Sequence, residues 1–411
     1  MNKGQVINRK ARPHFDWTLT IITFMLAAFG VIAITAATYS YSSTSAALDS
    51  LPARITNSHY GSRQALFLFI SPIVIAGMLV LNYRIFQKFS LVLYIASLGL
   101  LAMVLVMGST TSGVTGWFEL FSGYMLQPSE MAKIAVIIHL SKFFARKENP
   151  VTTVREFITM GVIMALPILL IFAQGELGTV MVFVAFYLGM MFMSGMKLRI
   201  IFGLLVGGVA MLIPVVFIMR ESGSYRYDRL LAFFDPSAAS SDAIYQARNS
   251  EIAIGNGGLT GTGMFQDGTY TSLNYVPQNH TDFIFSSIGE TMGFVGCMIV
   301  IVLYAALLYR MLSLARHNYD KFSRLVIVGM FTMMFFHIFY NIGMTIGVTP
   351  VMGIPLPFLS YGGSNLVANM IGIGLVLNIT LRKPELRATH IDEIMTGDIR
   401  PPKKTLRQKR A

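Results

Sequence analysis

Charged side chains are scarce in this sequence of 411 residues. Asp, Glu, Lys and Arg together make up 13% of it, and 54% of the residues are hydrophobic. Soluble domains carry about 25% charged residues, so this chain cannot cover a water-facing surface, and its composition favours lipid as the solvent. The net charge of +12 would suggest nucleic acid in a soluble protein. Membrane topology explains it better here, and we expect no nucleic-acid partner.

Cysteine is almost absent. The single cysteine, Cys297, lies in an apolar stretch, which excludes an internal disulfide and indicates a small buried side chain. His, Cys and Asp do not cluster with the spacing of transition-metal ligands, so the sequence alone predicts no metal site built from protein side chains.

Long apolar runs, in contrast, are plentiful. A helix that spans a bilayer needs roughly 20 apolar residues. The first run, Leu19 to Ala37, is longer than the apolar region of a signal peptide and therefore predicts a membrane span. We predict an all-α, polytopic membrane protein of about ten transmembrane helices, near residues 18–38, 66–83, 89–107, 129–142, 157–173, 179–195, 200–219, 283–308, 325–346 and 364–381.

Basic residues are distributed unevenly around these runs. If the N-terminus is cytoplasmic, the predicted inner segments contain 25 of the 32 Lys and Arg residues. Cytoplasmic loops are rich in Lys and Arg, so the pattern predicts a multi-pass protein of the cytoplasmic membrane with both termini inside the cell. Residues 1–381 would form the membrane domain, and we expect residues 382–411 to be a basic, disordered cytoplasmic tail.

One outer segment, residues 220–282, is far longer than the other connections. Connections of this length are usually functional or disordered. The segment contains the apolar-periodic stretch YQARNSEIAIGNGGLTG, which ends in glycines. We therefore expect a large extracellular loop with short helices that lie on the membrane face.

Glu130 and Lys133 are three residues apart at the start of the fourth run. That spacing places them on one face of a helix, and ionisable groups at membrane depth are candidates for function. The pair either lines a polar cavity, where Lys133 meets an anionic headgroup or orients a carboxylate, or forms a mutual ion pair that lowers the cost of insertion.

Asp282 precedes the eighth run, and Glu290 follows it two helical turns later on roughly the same face. A partly desolvated carboxylate at a water–lipid boundary has a raised pKa and can act as a general base. The alternative is that Thr281 or Asp282 only caps the N-terminus of the helix. His280 is more typical of a hydrogen-bonding scaffold than of a catalyst or a metal ligand.

The segment GVTPVMGIPLPFLSYGGSNL follows the ninth run, and its prolines and glycines cannot all be helical. Non-helical backbone at membrane depth is tolerated only against protein or a wet cavity, so we predict a re-entrant loop, with a plain extracellular connection as the alternative. Ser360, Gly362 and Gly363 are its candidate substrate-binding or supporting residues, since backbone N–H groups near the glycines could bind phosphate.

Arginine is concentrated in the long outer segment. The other predicted outer segments have few basic residues, so four arginines here suggest capture of an anionic ligand. The alternative is that they pair with neighbouring acidic residues on a solvated face. The four are Arg220, Arg226, Arg229 and Arg248, of which we select Arg226 and Arg248 as candidate substrate-binding residues.

Four pieces of the sequence resemble the SEDS family (shape, elongation, division and sporulation), which includes RodA, FtsW and SpoVE. They are QPSEMAK at 127–133, SEIAIGNGGLTGTG at 250–263, HTDFIF at 280–285 and GIPLPFLSYGGS at 353–364. They occur in the family's order among the ten predicted helices. The stretch GMFQDGTYTSLNYVPQNHTDFIF and the FDW at 15–17 are more similar to the elongation (RodA) branch than to the division branch.

The resemblance implies a glycosyltransferase that polymerises lipid II into peptidoglycan strands at the outer membrane face. Asp282 matches the family's essential aspartate, and Glu130 and Lys133 match its conserved pair. The implied partner is a class B penicillin-binding protein. The resemblance implies no particular cofactor. The leaving diphosphate needs positive charge, either from Lys133 and one or more outer arginines or from a divalent cation, Mg²⁺ or Mn²⁺. The alternatives are a division or sporulation paralogue with the same chemistry, or a lipid II flippase.

The sequence departs from the family pattern at several charged positions. Gly116 stands in place of a frequent Arg, and Gly175 and Glu176 replace a Pro-Asp pair. Gln278 and Thr291 each stand where a Glu is usual. No functional role is carried over to these five positions.

Overall fold

The computed structural model describes residues 15–39, 50–111, 113–120, 123–146, 154–221, 225–235, 237, 240–318 and 320–382. These residues form fourteen α-helices and three short β-strands. The helices are α1 Trp17–Ala37, α2 Leu51–Asn57, α3 His59–Val80, α4 Tyr83–Lys88, α5 Ser90–Met107, α6 Pro128–Ala145, α7 Val154–Gln174, α8 Leu177–Ser194, α9 Leu198–Glu221, α10 Tyr225–Phe234, α11 Ser241–Gly257, α12 Ile284–Arg316, α13 Lys321–Thr345 and α14 Gly363–Leu381.

Every predicted membrane run coincides with a helix, namely α1, α3, α5 to α9 and α12 to α14. Within the described residues, eight of these helices are long and apolar enough to cross a membrane. The other two are α6, which carries Glu130, Lys133 and Lys142, and α9, whose described apolar part is Leu198–Gly208. The all-α, polytopic prediction is confirmed, while the count of ten spans and the location of the termini stay predictions.

Large apolar side chains cover the outside of the bundle. Phe69 of α3 and Val106 of α5, for example, are 78% and 87% exposed. So many exposed large apolar side chains would favour aggregation in water, whereas lipid can cover them. The most buried candidate spans are α13 and α14, at 67% and 72%, so these two helices lie at the centre of the bundle.

A small antiparallel sheet connects α5 to α6. Its strands are β1 Ser109–Thr111, β2 Val114–Glu119 and β3 Met125–Leu126, in the order β1-β2-β3. No pattern in the sequence predicts this sheet. We call the end of the bundle where this sheet lies, and where α3, α6, α12 and α14 begin, the site end.

The long segment before α12 contains α10 and α11, as its apolar periodicity and glycines predict. The chain that follows α11 packs into α12 and breaks it at Gly293, whose φ is 64° and ψ −161°. The Phe294 N–H donates to the Gly258 carbonyl at 2.9 Å. A side chain at Gly293 would collide with the backbone of Gly261, so glycine is required at this break. The location of this segment outside the cell stays a prediction.

The segment between α13 and α14, residues 346–362, is not helical, as its prolines predict. Its residues Leu356, Phe358 and Leu359 are buried. The Tyr304 hydroxyl of α12 donates to a carbonyl of this segment. A Cβ atom at Gly30 of α1 would lie 2.5 Å from the Phe358 carbonyl oxygen, so the segment packs directly against the backbone of α1. Buried non-helical backbone of this kind is satisfied by protein, as membrane depth requires.

Candidate active site

Asp282 lies at the site end, two residues before α12 begins. The N-cap position of α12 is Phe283, and no side chain makes a capping hydrogen bond there. The Thr281 hydroxyl donates instead to Gln278, at 3.2 Å to its carbonyl oxygen and 3.0 Å to its side chain. The alternative that Thr281 or Asp282 serves only as the cap of this helix is therefore wrong.

The backbone around Asp282 is fixed by Asn341 of α13. The buried Asn341 Nδ2 donates to the Asp282 carbonyl oxygen at 2.7 Å and to the Ile354 carbonyl oxygen at 2.7 Å. One amide therefore joins the segment before α12 to the segment before α14. Because these carbonyls have no helical or strand partners, a side-chain donor at this point satisfies both of them.

Ser360 and Tyr361 extend this connection. The Ser360 hydroxyl donates to the Thr281 carbonyl oxygen at 2.7 Å and accepts from the Leu356 N–H at 2.7 Å. The Tyr361 N–H donates to the His280 carbonyl oxygen at 2.8 Å. The predicted site residue Ser360 is 1% exposed. Its hydroxyl holds the backbone of the His280–Asp282 segment in place.

The Asp282 carboxylate and the Arg229 guanidinium meet over Gly353. A Cβ atom at Gly353 would lie 3.3 Å from Asp282 Oδ2 and 3.8 Å from Arg229 Nη1. Gly353 has a φ of 66°, a conformation that glycine adopts without strain. Burial raises the pKa of Asp282 from 3.8 to about 6, and the positive charge of Arg229 opposes that rise.

Arg229 is thus the arginine whose charge acts on Asp282, whereas the sequence pattern favours Arg226 and Arg248. Arg229 lies on α10 and also donates to Gln246 Oε1 of α11 at 3.4 Å. Arg248 is exposed, and the side chain of Arg226 lies outside the described part of the chain. All three lie in the same polar segment, so only their helical positions distinguish them. A substrate-binding role for Arg226 and Arg248 stays a prediction.

Glu130 and Lys133 form a buried ion pair at the start of α6. Lys133 Nζ lies 2.8 Å from Glu130 Oε1 and 3.1 Å from His337 Nε2 of α13. His337 Nδ1 lies 2.8 Å from the Met333 carbonyl oxygen, so Nδ1 carries the proton and Nε2 accepts from Lys133. All three charged or polar side chains are at most 3% exposed. These contacts favour the ion-pair alternative in this conformation, and contact with substrate stays a prediction.

Glu290 anchors the loop that precedes Asp282. Its carboxylate accepts from the Tyr270 N–H at 2.7 Å, the Thr271 N–H at 2.8 Å, the Thr271 hydroxyl at 2.5 Å and Asn256 Nδ2 at 3.1 Å. Glu290 is fully buried. Its position therefore fits a supporting residue rather than one that touches substrate.

Gly362 and Gly363 allow close packing at the start of α14. The Gly362 N–H donates to Gln64 Oε1 of α3 at 3.2 Å. A side chain at Gly363 would collide with the ring of Phe67. The expectation that the Gly362 N–H binds phosphate does not hold for this conformation, because a buried glutamine occupies it.

An apolar groove opens beside these glycines. It has a volume of about 410 Å³ and lies between α3, α6, α14 and β3. Asp282 does not line it, and the segment Tyr361–Gly363 connects the two. Its lining includes Leu66, Phe67, Tyr124, Met131, Gly363 and Val367.

No group of three or more His, Cys, Asp or Glu side chains is placed to hold a metal ion in the part of the chain that the structure describes. The hydrogen bonds described for Asp282 include none to a second carboxylate. A divalent cation that arrives with an anionic substrate stays an open expectation.

The fold and these motifs can be compared with known proteins. The family model of the FtsW, RodA and SpoVE cell cycle proteins matches residues 16–384. The chain belongs to the FtsW/RodA/SpoVE family. This result confirms the resemblance that the sequence motifs indicated.

Individual members of the FtsW/RodA/SpoVE family give the same picture. The chain is 37% identical over 298 residues to the peptidoglycan glycosyltransferase MrdB of Escherichia coli K12, covering 72% of this chain and 79% of MrdB. It is 31% identical over 375 residues to a probable peptidoglycan glycosyltransferase FtsW of Geobacter sp. M18, covering 90% and 97%.

Solved structures extend the comparison. A chain of a peptidoglycan synthase complex, described as coordinating polymerization and crosslinking, has a TM-score of 0.72 at 27% identity, covering 90% of this chain and 98% of that one. The rod shape determining protein RodA of Thermus thermophilus has a TM-score of 0.65 at 26% identity, covering 90% and 97%.

Two departures from the FtsW/RodA/SpoVE pattern contact each other. The Glu176 carboxylate accepts from Gln127 Nε2 at 2.9 Å and from the Ser129 hydroxyl at 2.8 Å. Burial raises the pKa of Glu176. A side chain at Gly116 would collide with this carboxylate. The glycine therefore makes room for the glutamate, which no reading of either position alone could have revealed.

Proposed function

We propose that this chain is a peptidoglycan glycosyltransferase that polymerises lipid II at the outer face of the cytoplasmic membrane, for cell elongation. The observation that carries the proposal is the environment of Asp282. Its carboxylate has a raised pKa and lies near Arg229, and its backbone segment is fixed by Asn341 and Ser360. The relatives named as peptidoglycan glycosyltransferases support the reaction. The similar solved structure of a rod shape determining protein, RodA of Thermus thermophilus, supports the elongation branch.

Asp282 acts as the general base in this reaction. With a pKa of about 6, it is mostly ionised at pH 7 and still basic enough to accept a proton. It takes the proton of the acceptor sugar hydroxyl as that oxygen bonds to the anomeric carbon of the donor. The bond from the anomeric carbon to the diphosphate breaks, and its electron pair leaves with the diphosphate. A single displacement of this kind inverts the anomeric centre.

Arg229 has two roles in this mechanism. Its positive charge keeps the pKa of Asp282 from rising further, which preserves the base at neutral pH. A guanidinium at the same point can also stabilise the negative charge that develops on the leaving diphosphate. Both roles depend on its position over Gly353.

The groove between α3, α6 and α14 suits the lipid part of the substrate. Its lining is almost entirely apolar, and its volume of about 410 Å³ can hold part of a polyprenyl chain. The rest of that chain would stay in the bilayer. The reaction then takes place at the end of the groove, near the Tyr361–Gly363 segment.

Polymerisation by the purified chain tests the proposal. Fluorescent lipid II is incubated with the wild type, with Asp282→Asn and with Asp267→Asn, and the glycan strands are resolved on a gel. Asp267 is an exposed aspartate of the same loop and serves as the matched control. We expect a loss of roughly 10²- to 10⁴-fold for Asp282→Asn and none for Asp267→Asn. Full activity of Asp282→Asn would refute the assignment.

The same assay separates the alternatives. A flippase would move labelled lipid II across vesicles without forming strands, and a scaffold would tolerate Asp282→Asn in both assays. A division or sporulation paralogue would polymerise equally well in vitro. Complementation of a strain depleted of its elongation polymerase then decides the branch.

We also propose a class B penicillin-binding protein as partner, with its single helix against α12 or α13. The solved peptidoglycan synthase complex with a similar chain supports an assembly of this kind. Large apolar side chains are exposed on both helices, for example Phe294 at 58% and Phe339 at 57%. Replacing Phe339 by Ala should weaken co-purification of the partner without lowering polymerisation by the isolated chain.

A further inference from the structure

Arg63 lies one helical turn beyond the apolar groove, toward the site end. It is on α3, three and four residues before Leu66 and Phe67, which line the groove. Residues at this spacing occupy the same face of a helix. The guanidinium therefore lies beyond the end of the groove that faces the site end, which is where an amphiphile in the groove would place its headgroup if that end faces water.

The contacts of Arg63 lead from the groove toward Asp282. Its guanidinium carbon lies 5.1 Å from the ring centre of Tyr124, a groove residue, and Nη1 donates to the Gly123 carbonyl at 3.4 Å. The guanidinium also hydrogen-bonds the side chain of Tyr361. Arg63 is only partly buried.

Tyr361 connects Arg63 to the catalytic segment. Its N–H pairs with the His280 carbonyl, two residues before Asp282. The rings of Tyr60, His280 and Tyr361 pack together, with centroids 4.2 Å apart for Tyr60 and His280 and 5.0 Å apart for Tyr60 and Tyr361. Arg63 thus stands between an apolar groove on one side and an aromatic surface beside the general base on the other.

We infer that Arg63 binds the phosphate groups of a polyprenyl diphosphate whose chain lies in the groove. A guanidinium pairs with phosphate through two parallel hydrogen bonds, which gives both affinity and orientation. An isoprenoid chain matches the apolar lining. This inference rests on the proposed function, since it names the residue that would hold the carrier of the sugar substrate while Asp282 acts on the sugar.

Photo-crosslinking in nanodiscs tests the inference apart from catalysis. The probes are a geranylgeranyl-length prenyl diphosphate with a benzophenone on its chain and the corresponding prenyl alcohol, and cross-linked peptides are identified by mass spectrometry. For Arg63→Ala we expect the half-saturating concentration of the diphosphate probe to rise roughly 10- to 100-fold, and that of the alcohol to stay unchanged. Arg63→Lys should retain part of the affinity, because charge remains but the fork is lost.

Arg54→Ala is the matched control. Arg54 lies over the rings of Tyr39 and Phe265, at 5.3 and 4.5 Å from their centres, and does not line the groove. The variant should bind both probes as the wild type does. Unchanged diphosphate binding by Arg63→Ala would overturn the inference, and so would an equal loss of the alcohol, which would indicate a structural role only.

Competitors distinguish the possible sources of phosphate. Undecaprenyl diphosphate should displace the probe, whereas inorganic pyrophosphate and phosphatidylglycerol should not do so at the same concentration. Displacement by phosphatidylglycerol with equal strength would overturn the commitment to a polyprenyl carrier. Asp282→Asn should bind the probe as the wild type does, because Asp282 does not line the groove. A wild-type chain that binds the probe but does not polymerise lipid II would refute the proposed function. The Arg63 binding site would still stand in that case.

Discussion

The side-chain amide of Asn341 donates 2.7 Å hydrogen bonds to the carbonyls of Asp282 and Ile354. These two carbonyls belong to segments about 70 residues apart in sequence, and both surround the carboxylate that we assign as the base. A single buried amide on the central helix α13 therefore sets the position of Asp282 relative to Gly353 and Arg229.

Replacing Asn341 by Leu should lower polymerisation at least about tenfold, because a displaced carboxylate is poorly aligned for proton transfer. The two carbonyls lose their donor, which costs about 1–3 kcal/mol of unfolding free energy. Initial rates on lipid II and thermal unfolding measure the two effects. An Asn341→Leu chain with wild-type rates would contradict the role assigned to this amide.

Polymerisation should fall as the pH drops through about 6. Burial raises the pKa of Asp282 to that value, and only the ionised form can accept the hydroxyl proton. Arg229→Gln removes the charge that opposes this rise in the pKa of Asp282. The acidic limb of the variant's pH–rate profile should therefore move to higher pH. Rates between pH 5 and 8 test this shift. Arg248→Gln, which replaces an exposed arginine of the same segment, should leave the limb in place.

Replacing Glu290 by Ala should loosen the loop before Asp282. The part-buried N–H of Tyr270 and the buried N–H of Thr271 would lose their acceptor, at a cost of about 3 kcal/mol. Hydrogen exchange across residues 258–283 should accelerate, with a smaller effect for Glu290→Gln, which keeps one acceptor oxygen. Unchanged exchange in Glu290→Ala would show that other contacts hold the loop.

Replacing Lys133 by Met should cost about 3–5 kcal/mol, because it leaves the buried Glu130 carboxylate without its charge partner. Combining it with Glu130→Gln should restore most of that loss. Thermal unfolding of the single and double variants measures both. If the double variant does not recover the free energy of unfolding, Glu130 and Lys133 do not act as one buried unit. If it does recover, its polymerisation rate shows whether the pair also serves the reaction.

The long helices that coincide with the apolar runs follow from the sequence, because a membrane span requires roughly 20 apolar residues. The start of α6 at Pro128 and the non-helical segment after α13 follow from proline chemistry in the same way. The short helices α2 and α4 were not predicted. The strands β1 to β3 were missed, since pieces of two to six residues carry too little alternation to be recognised.

The sequence predicts only some of the residues that surround the candidate site. Asp282 is selected by its place before an apolar run and by its motif, and the structure adds the partners that hold its backbone. Its catalytic role stays a prediction. Arg229 could not be separated from Arg226 and Arg248, because selecting it requires the packing of α10 on the rest of the chain. The contact between Gly116 and Glu176 was equally hidden, since the two residues are 60 positions apart in the sequence.

Gly30 packs against the Phe358 carbonyl, so α1 supports the segment between α13 and α14 that lies beside the proposed catalytic residue. Any larger residue at position 30 pushes on the segment that carries Gly353 and Ser360, and through them on Asp282. In a saturation screen for growth, position 30 should therefore tolerate almost nothing, although it never meets the sugar. Genetic intolerance along this first helix would report mechanical support of the chemistry rather than contact with it.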